Sequence, residues 1–398
     1  MTTRVRPRLR RPAVAVAGVG RSPIDRTAAD RLRLESVLVT TPQPRAALAK
    51  VPPYVPGKPP TARVGPGSEL PTYKLSSNEN PYPPLPGVLA EAVRAAETMN
   101  RYPDMGITAL YEALAQHLGV TSDRLAAGTG SVALLYHLIQ AYCGPDDEVL
   151  YAWRSFEAYP IATAVAGATA VQVPLREDGE HDFPAMLAAI TERTKVVLVC
   201  TPNNPTGPAV TASALRDFVS RVPSQVIVVV DEAYREFVRI EDRADAVALL
   251  ADFGNVVAMR TFAKAYGLAG LRCGYLVAAP PVVAAVRACS LPFGVSSIAQ
   301  AAAVASLARE AELSERVEAL VAERSRVIAA LREQGLKLPD AQGNFVWLPL
   351  GARTADFVAA AEAAGIMVRP FTGEGVRISI GEVAGNDVFL RVAAEFAR

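Results

Sequence analysis

Apolar positions recur at helical spacing over residues 86–99, 107–118 and 131–143. From residue 148 the pattern changes to short, unbroken apolar runs rich in valine, over 148–152, 170–174, 195–200, 225–230, 255–260 and 273–277. These read as strands buried on both faces. Amphipathic helices over 183–191 and 212–221 lie between them. Such alternation predicts an α/β fold with a mostly parallel sheet covered by helices. Past Pro292 the pattern changes again. A helix-rich stretch, 298–334, precedes short strands at 345–348 and 376–380, which alternate with helices at 354–364 and 386–396. This predicts a smaller α+β domain.

The N-terminal quarter differs. Residues 1–50 carry ten arginines among Pro and Thr, with few large apolar side chains. They read as a disordered extension without a core of its own. The weakly signal-like stretch Ala13 to Gly20 is short, contains two glycines and is followed at once by Arg21. From Val51 the prolines in VPPYVPGKPP and KLSSNENPYPPLP predict an extended arm. The expected organisation is an extension over 1–50, an arm and small-domain segment over 51–100, a large domain over 101–292 and a small C-terminal domain over 293–398.

Composition narrows the function. In 398 residues, 41 Lys+Arg against 40 Asp+Glu leave a net charge of +1, which argues against electrostatic capture of nucleic acid or of an anionic membrane surface. No run approaches the roughly 18 apolar residues of a membrane span. The four cysteines form no CxxC pair and the three histidines are scattered, so neither a disulfide framework nor a metal site is expected, and a cytoplasmic protein is.

The candidate chemistry follows the apolar strands. Cys200-Thr-Pro-Asn-Asn-Pro-Thr-Gly207, Asp231-Glu-Ala-Tyr234, Thr261-Phe-Ala-Lys264 and Gly267-Leu-Ala-Gly-Leu-Arg272 each follow a strand or lie just beyond one. Open α/β sheets bind ligands at the carboxyl ends of their strands, so the four segments are expected to share one crevice. Taken singly, Lys264 or Arg272 reads as solvated surface and Asp231 as a helix cap. Their order and spacing carry the argument.

With Asn100-Arg-Tyr-Pro103, this ordered set resembles the class I/II (fold-type I) pyridoxal-phosphate aminotransferases. Within them it looks like the histidinol-phosphate aminotransferase branch, including its actinobacterial aromatic members. The resemblance runs from about Tyr54 to the C-terminus. It implies pyridoxal 5′-phosphate as cofactor, attached through Lys264, with Asp231 facing the ring nitrogen and Asn204 and Tyr234 facing the phenolic oxygen. It also implies a phosphate site from Gly130, Ser131 and Val132 at a helix N-terminus, plus Arg272. Phe156 falls at the ring-stacking position. Tyr102 falls where the family reaches the neighbouring subunit's phosphate, which implies a homodimer with shared sites. Arg377 matches the fork onto a substrate α-carboxylate, beside Asn204, and Arg369 a second anion-binding arginine.

Two departures stand out. The family has Ser or Thr before the lysine, whereas this chain has Ala263, which removes a hydrogen bond to the phosphate worth about 1.5–3 kcal/mol. At the stacking position histidinol-phosphate enzymes place Tyr, and this chain has Phe156 within Trp153-Arg-Ser-Phe-Glu157. That string resembles the actinobacterial aromatic branch, and the resemblance implies transamination of aromatic amino acids with 2-oxoglutarate. The alternatives are histidinol phosphate as substrate, a decarboxylase of phosphorylated amino acids, and a non-catalytic cofactor-binding regulator. Trp153, Tyr159, Tyr73 and Tyr82 are further candidates for an aromatic pocket, or core.

Overall fold

Alternate residues of the apolar runs feed two different cores. The computed structural model describes residues 42–54, 56–59 and 71–397. Among them the strands are β1 Tyr73–Lys74, β2 Leu125–Gly128, β3 Glu148–Trp153, β4 Thr169–Pro174, β5 Thr194–Cys200, β6 Ile227–Asp231, β7 Val256–Thr261, β8 Gly274–Ala278, β9 Phe345–Leu348, β10 Ile366–Met367, β11 Arg369–Phe371 and β12 Gly375–Ser379. In β6, Val228 and Val230 join one hydrophobic cluster while Ile227 and Val229 join the other. The same alternation holds for Val197 and Val199 against Val196 and Leu198 in β5. Side chains of a strand point to opposite faces, so a strand covered on both sides must be apolar throughout.

Seven strands form the main sheet, in the order β2-β8-β7-β6-β5-β3-β4. The pairs from β4 to β7 are parallel, and β8 is antiparallel to both β7 and β2. The expected mostly parallel sheet is present, with β8 alone running against the other six strands. β2, with sequence LAAG, was not expected, because alanine and glycine carry little strand signal. A three-stranded antiparallel sheet, β11-β12-β9, and the parallel pair β1-β10 make up the second architecture. The helices Thr354–Ala363 and Val383–Phe396 belong with it.

The expected helix-rich stretch 298–334 consists of two helices, Ser297–Leu307 and Glu310–Glu333. The chain turns at Ala308 and Arg309, where no Gly or Pro marks the break. The helix expected over 183–191 ends at Ala188. Ordered backbone begins before residue 50: Ala46–Lys50 form a short 3-10 helix, and the guanidinium of Arg45 donates to the carbonyl of Val165. The remainder of the expected extension, 1–41, lies outside the described residues.

The register brings the chemistry together. Cys200 at the end of β5 pairs with Asp231 at the end of β6, and Asp231 pairs with Met259 near the end of β7. The segments carrying Asn204, Tyr234 and Lys264 therefore leave the sheet side by side. β12 brings Arg377 towards them from the smaller sheet.

Candidate active site

A cavity of about 210 Å³ lies where these strand ends meet. Its lining includes Gly130, Ser131, Val132, Phe156, Asn204, Asp231, Tyr234, Lys264, Arg272, Arg369 and Arg377. Eleven of the twelve expected site residues thus share one crevice. Tyr102 does not. It is 81% exposed and stacks on Phe293, with ring centroids 4.6 Å apart, on the outside of its own chain.

The polar loop after β5 is held by Asn203. Its side-chain amide donates to the Arg154 carbonyl at 3.0 Å and to Thr206 Oγ1 at 2.7 Å, and its Oδ1 accepts from Ser155 at 2.7 Å. That leaves Asn204 to face the crevice, where its Oδ1 accepts from Arg377 Nη1 at 2.6 Å. Arg377 Nη2 donates to the Ser76 carbonyl at 2.8 Å, and its buried Nε has no partner. Burial pushes the Arg377 pKa down, because a guanidinium among neutral partners is poorly solvated.

Asp231 and Glu232 are adjacent but play different parts. Asp231 faces the crevice, where its Oδ2 accepts from the buried Tyr159 hydroxyl at 2.9 Å and its Oδ1 from the Ala233 amide at 3.3 Å. Burial raises its pKa to about 6, and the Tyr159 hydrogen bond opposes the rise. Glu232 accepts from Arg260 Nε at 2.7 Å and from the Ala246 amide at 2.9 Å. It serves the packing of the sheet.

Lys264 is partly buried and donates to the Ser77 carbonyl at 3.1 Å. Burial first, then the nearby Arg377 guanidinium, bring its pKa down to about 7. An amine with that pKa is largely unprotonated just above neutrality, as a nucleophile or proton carrier must be. Tyr234 accepts from Asn78 Nδ2 at 3.1 Å, and burial raises its phenol pKa.

At the other end of the crevice, the helix Ser131–Tyr142 begins at Gly130 without a side-chain cap. Its first amides are free to receive an anion. Gly130 has φ +84°, and a Cβ there would lie 2.8 Å from Arg272 Nη2. Gly274 of β8 packs so tightly behind the turn that a Cβ would meet the Ser131 amide nitrogen at 2.4 Å. Two glycines thus set the helix end against the arginine. Free amides and a guanidinium at one end, an amine, a carboxylate and an aromatic face at the other, suit a phosphorylated aromatic ring carrying an aldehyde.

Several lining or supporting residues were not expected. Ser76, Ser77 and Asn78 bind Arg377, Lys264 and Tyr234, and their signal was a polar triad inside the proline-rich arm. Tyr159 reaches Asp231, while Trp153, Tyr73 and Tyr82 do not line the cavity. Tyr54 and Phe371 do, together with Glu157.

The profile of the family described as "Aminotransferase class I and II" matches residues 71–393. The chain belongs to that family. It is an aminotransferase, and its sheet is the family's. An aromatic amino acid aminotransferase of Streptomyces avermitilis is 56% identical over 359 residues, 90% of this chain and 99% of the relative. One of Streptomyces coelicolor is 55% identical over the same shares. Among solved structures, histidinol-phosphate aminotransferase of Sinorhizobium meliloti in complex with pyridoxal 5′-phosphate is 29% identical, with a TM-score of 0.76, covering 82% of this chain and 91% of that one. Among the described residues, no helix is long and apolar enough to cross a membrane.

Proposed function

We propose that the protein is a pyridoxal-phosphate-dependent aminotransferase of aromatic amino acids that returns through glutamate and 2-oxoglutarate. The observation that carries the substrate class is the aromatic lining: Phe156, Tyr54 and Phe371 border the same cavity as Arg377. An amino acid with its carboxylate on Arg377 can set an apolar ring against such a wall. The names of the relatives agree with it.

The cofactor, when bound, supplies an electron sink that makes the substrate α-proton acidic. The rest falls to the chain. Lys264 is the point of attachment, and its amine takes the α-proton and returns it. Asp231 keeps a proton on the ring nitrogen, with Tyr159 fixing its carboxylate. Asn204 and Tyr234 face the phenolic oxygen. The amides of Ser131 and Val132, presented by the turn at Gly130, whose own amide donates to the Gly128 carbonyl at 2.7 Å, and the guanidinium of Arg272 hold the phosphate. Arg377 forks onto the α-carboxylate, and Arg369 stands near the distal end of the substrate. The range 101–292 forms the cofactor domain and 293–398 the small domain.

A homodimer with Tyr102 reaching the neighbour's phosphate is supported by exposed apolar side chains around it. Leu89, Val93, Met99, Met105, Leu291 and Phe293 are all exposed, along two segments that also carry Tyr102 and its stacking partner. Such a group of side chains marks an interface. The four cysteines are unpaired, which suits a reducing cytoplasm.

Single-turnover reaction of the holoenzyme with phenylalanine, tyrosine and histidinol phosphate tests the substrate class. Phenylalanine and tyrosine are expected to convert the cofactor fastest. A much faster reaction with histidinol phosphate would move the assignment to that substrate.

A further inference from the structure

The two arginines of the crevice are held differently. Arg369 in β11 and Arg377 in β12 are register partners across the antiparallel pair, and both border the cavity. Arg377 is hydrogen-bonded to neutral oxygens, the Asn204 amide and the Ser76 carbonyl. Its positive charge is open to a ligand. Arg369 is closed: its Nη2 donates to Glu157 Oε2 in an ion pair. Its side chain is 5% exposed and that of Glu157 is 28% exposed.

Resting on the proposed reading of this crevice as the amino-acid site, we infer that Glu157 determines how the enzyme divides its affinity between aromatic and dicarboxylic substrates. Its carboxylate is a built-in counter-ion for Arg369. A transaminase of this kind receives two unlike side chains in one site, an apolar ring in one half-reaction and a carboxylate in the other. A bare buried guanidinium would oppose the ring, because the ring would desolvate a charge without replacing its partner. With Glu157 in place, the ring meets a neutral ion pair beside Phe371 and Tyr54. A distal carboxylate instead competes with Glu157 for Arg369. The exchange keeps Arg369 paired, and the displaced Glu157 turns towards the solvent it already partly faces. Glu157 therefore favours aromatic substrates and weakens dicarboxylates. The residue directly follows Phe156, so chain connectivity ties the ring-facing wall to the counter-ion. It is a specificity residue, acting on substrate through Arg369.

Equilibrium binding of unreactive analogues to the holoenzyme tests this without turnover. The probes are glutarate and 3-phenylpropionate, measured by calorimetry and by competition with phenylalanine. Glu157→Gln is expected to tighten glutarate about tenfold and to weaken 3-phenylpropionate several-fold. Glu157→Asp, which keeps the charge, is expected to restore much of the wild-type ratio. In steady state, Glu157→Gln should lower KM for 2-oxoglutarate and raise it for phenylpyruvate. Equal shifts for both analogues, or weaker glutarate, overturn the role of Glu157 and leave the site assignment standing. If neither analogue competes with phenylalanine on the wild-type enzyme, the reading of the crevice falls, and the inference with it.

Discussion

The hydroxyl of Tyr159 donates to Asp231 Oδ2 at 2.9 Å, and both residues are buried. The contact joins the first turn of the helix Ala158–Ala166 to the end of β6. It fixes the orientation of a carboxylate that lines the crevice and is proposed to face the cofactor's ring nitrogen. It also offsets part of the cost of burying that carboxylate in its charged form.

Tyr159→Phe should therefore destabilise the cofactor-free protein in a pH-dependent way. The lost hydrogen bond matters most when Asp231 is ionised, at about 1.5–3 kcal/mol, and less when it is neutral. Denaturant unfolding at pH 8 and at pH 4.5 measures the difference. A larger loss at pH 8 is expected. Equal losses at both pH values would show that the hydroxyl does not stabilise the carboxylate.

The buried Asp231 and the partly buried Lys264 give the cofactor-free protein a characteristic stability profile. Burial raises Asp231 from 3.8 to about 6, so the native state binds more protons between those values and stability falls as pH rises through them. Burial lowers Lys264 from 10.5 to about 7, so there the unfolded state binds more protons and stability rises with pH from about 7 towards 10.5. These two contributions are jointly weakest between about pH 6 and 7. Thermal melts across pH should show Asp231→Asn flattening the lower limb and Lys264→Met the upper one. Variant curves parallel to the wild type would contradict both assignments.

Much of this was legible in the sequence for a physical reason. Strands β5 to β8 are covered on both faces, so each is a continuous apolar run and was placed within two residues of its observed ends. Lys264, Asp231, Asn204 and Arg272 follow those strands closely and share ordered motifs. β11 was hidden because it is three residues long and contains Pro370. Tyr159, Ser77 and Glu157 were hidden for a different reason. Their partners Asp231, Lys264 and Arg369 lie 72, 187 and 212 residues further along the chain, and no local pattern announces such a contact. Tyr102 is the converse case: it matches a family motif yet lies outside its own chain's cavity, as a residue serving a neighbouring subunit would.

Ala263 lines the crevice immediately before Lys264, and the Thr261 hydroxyl beside it already accepts from the Ala263 amide at 3.1 Å. Ala263→Ser adds a donor to a lining that contains Arg272 and the free amides after Gly130. Phosphate retention should improve, and the rate of cofactor loss on dialysis is expected to fall several-fold. Unchanged or faster loss would mean that position 263 does not face the phosphate.

The central claim is that the Lys264 amine, poised near neutrality at the strand ends, carries the cofactor and moves the substrate proton. Borohydride reduction of the holoenzyme followed by peptide mass mapping tests it most directly, with phenylalanine-driven change in the cofactor's visible spectrum followed in the same preparations. The account predicts cofactor fixed on Lys264 alone in the wild type. In Lys264→Ala it predicts none fixed, together with loss of multiple turnover. Cofactor fixed on another lysine, or near wild-type cycling by Lys264→Ala, would contradict it.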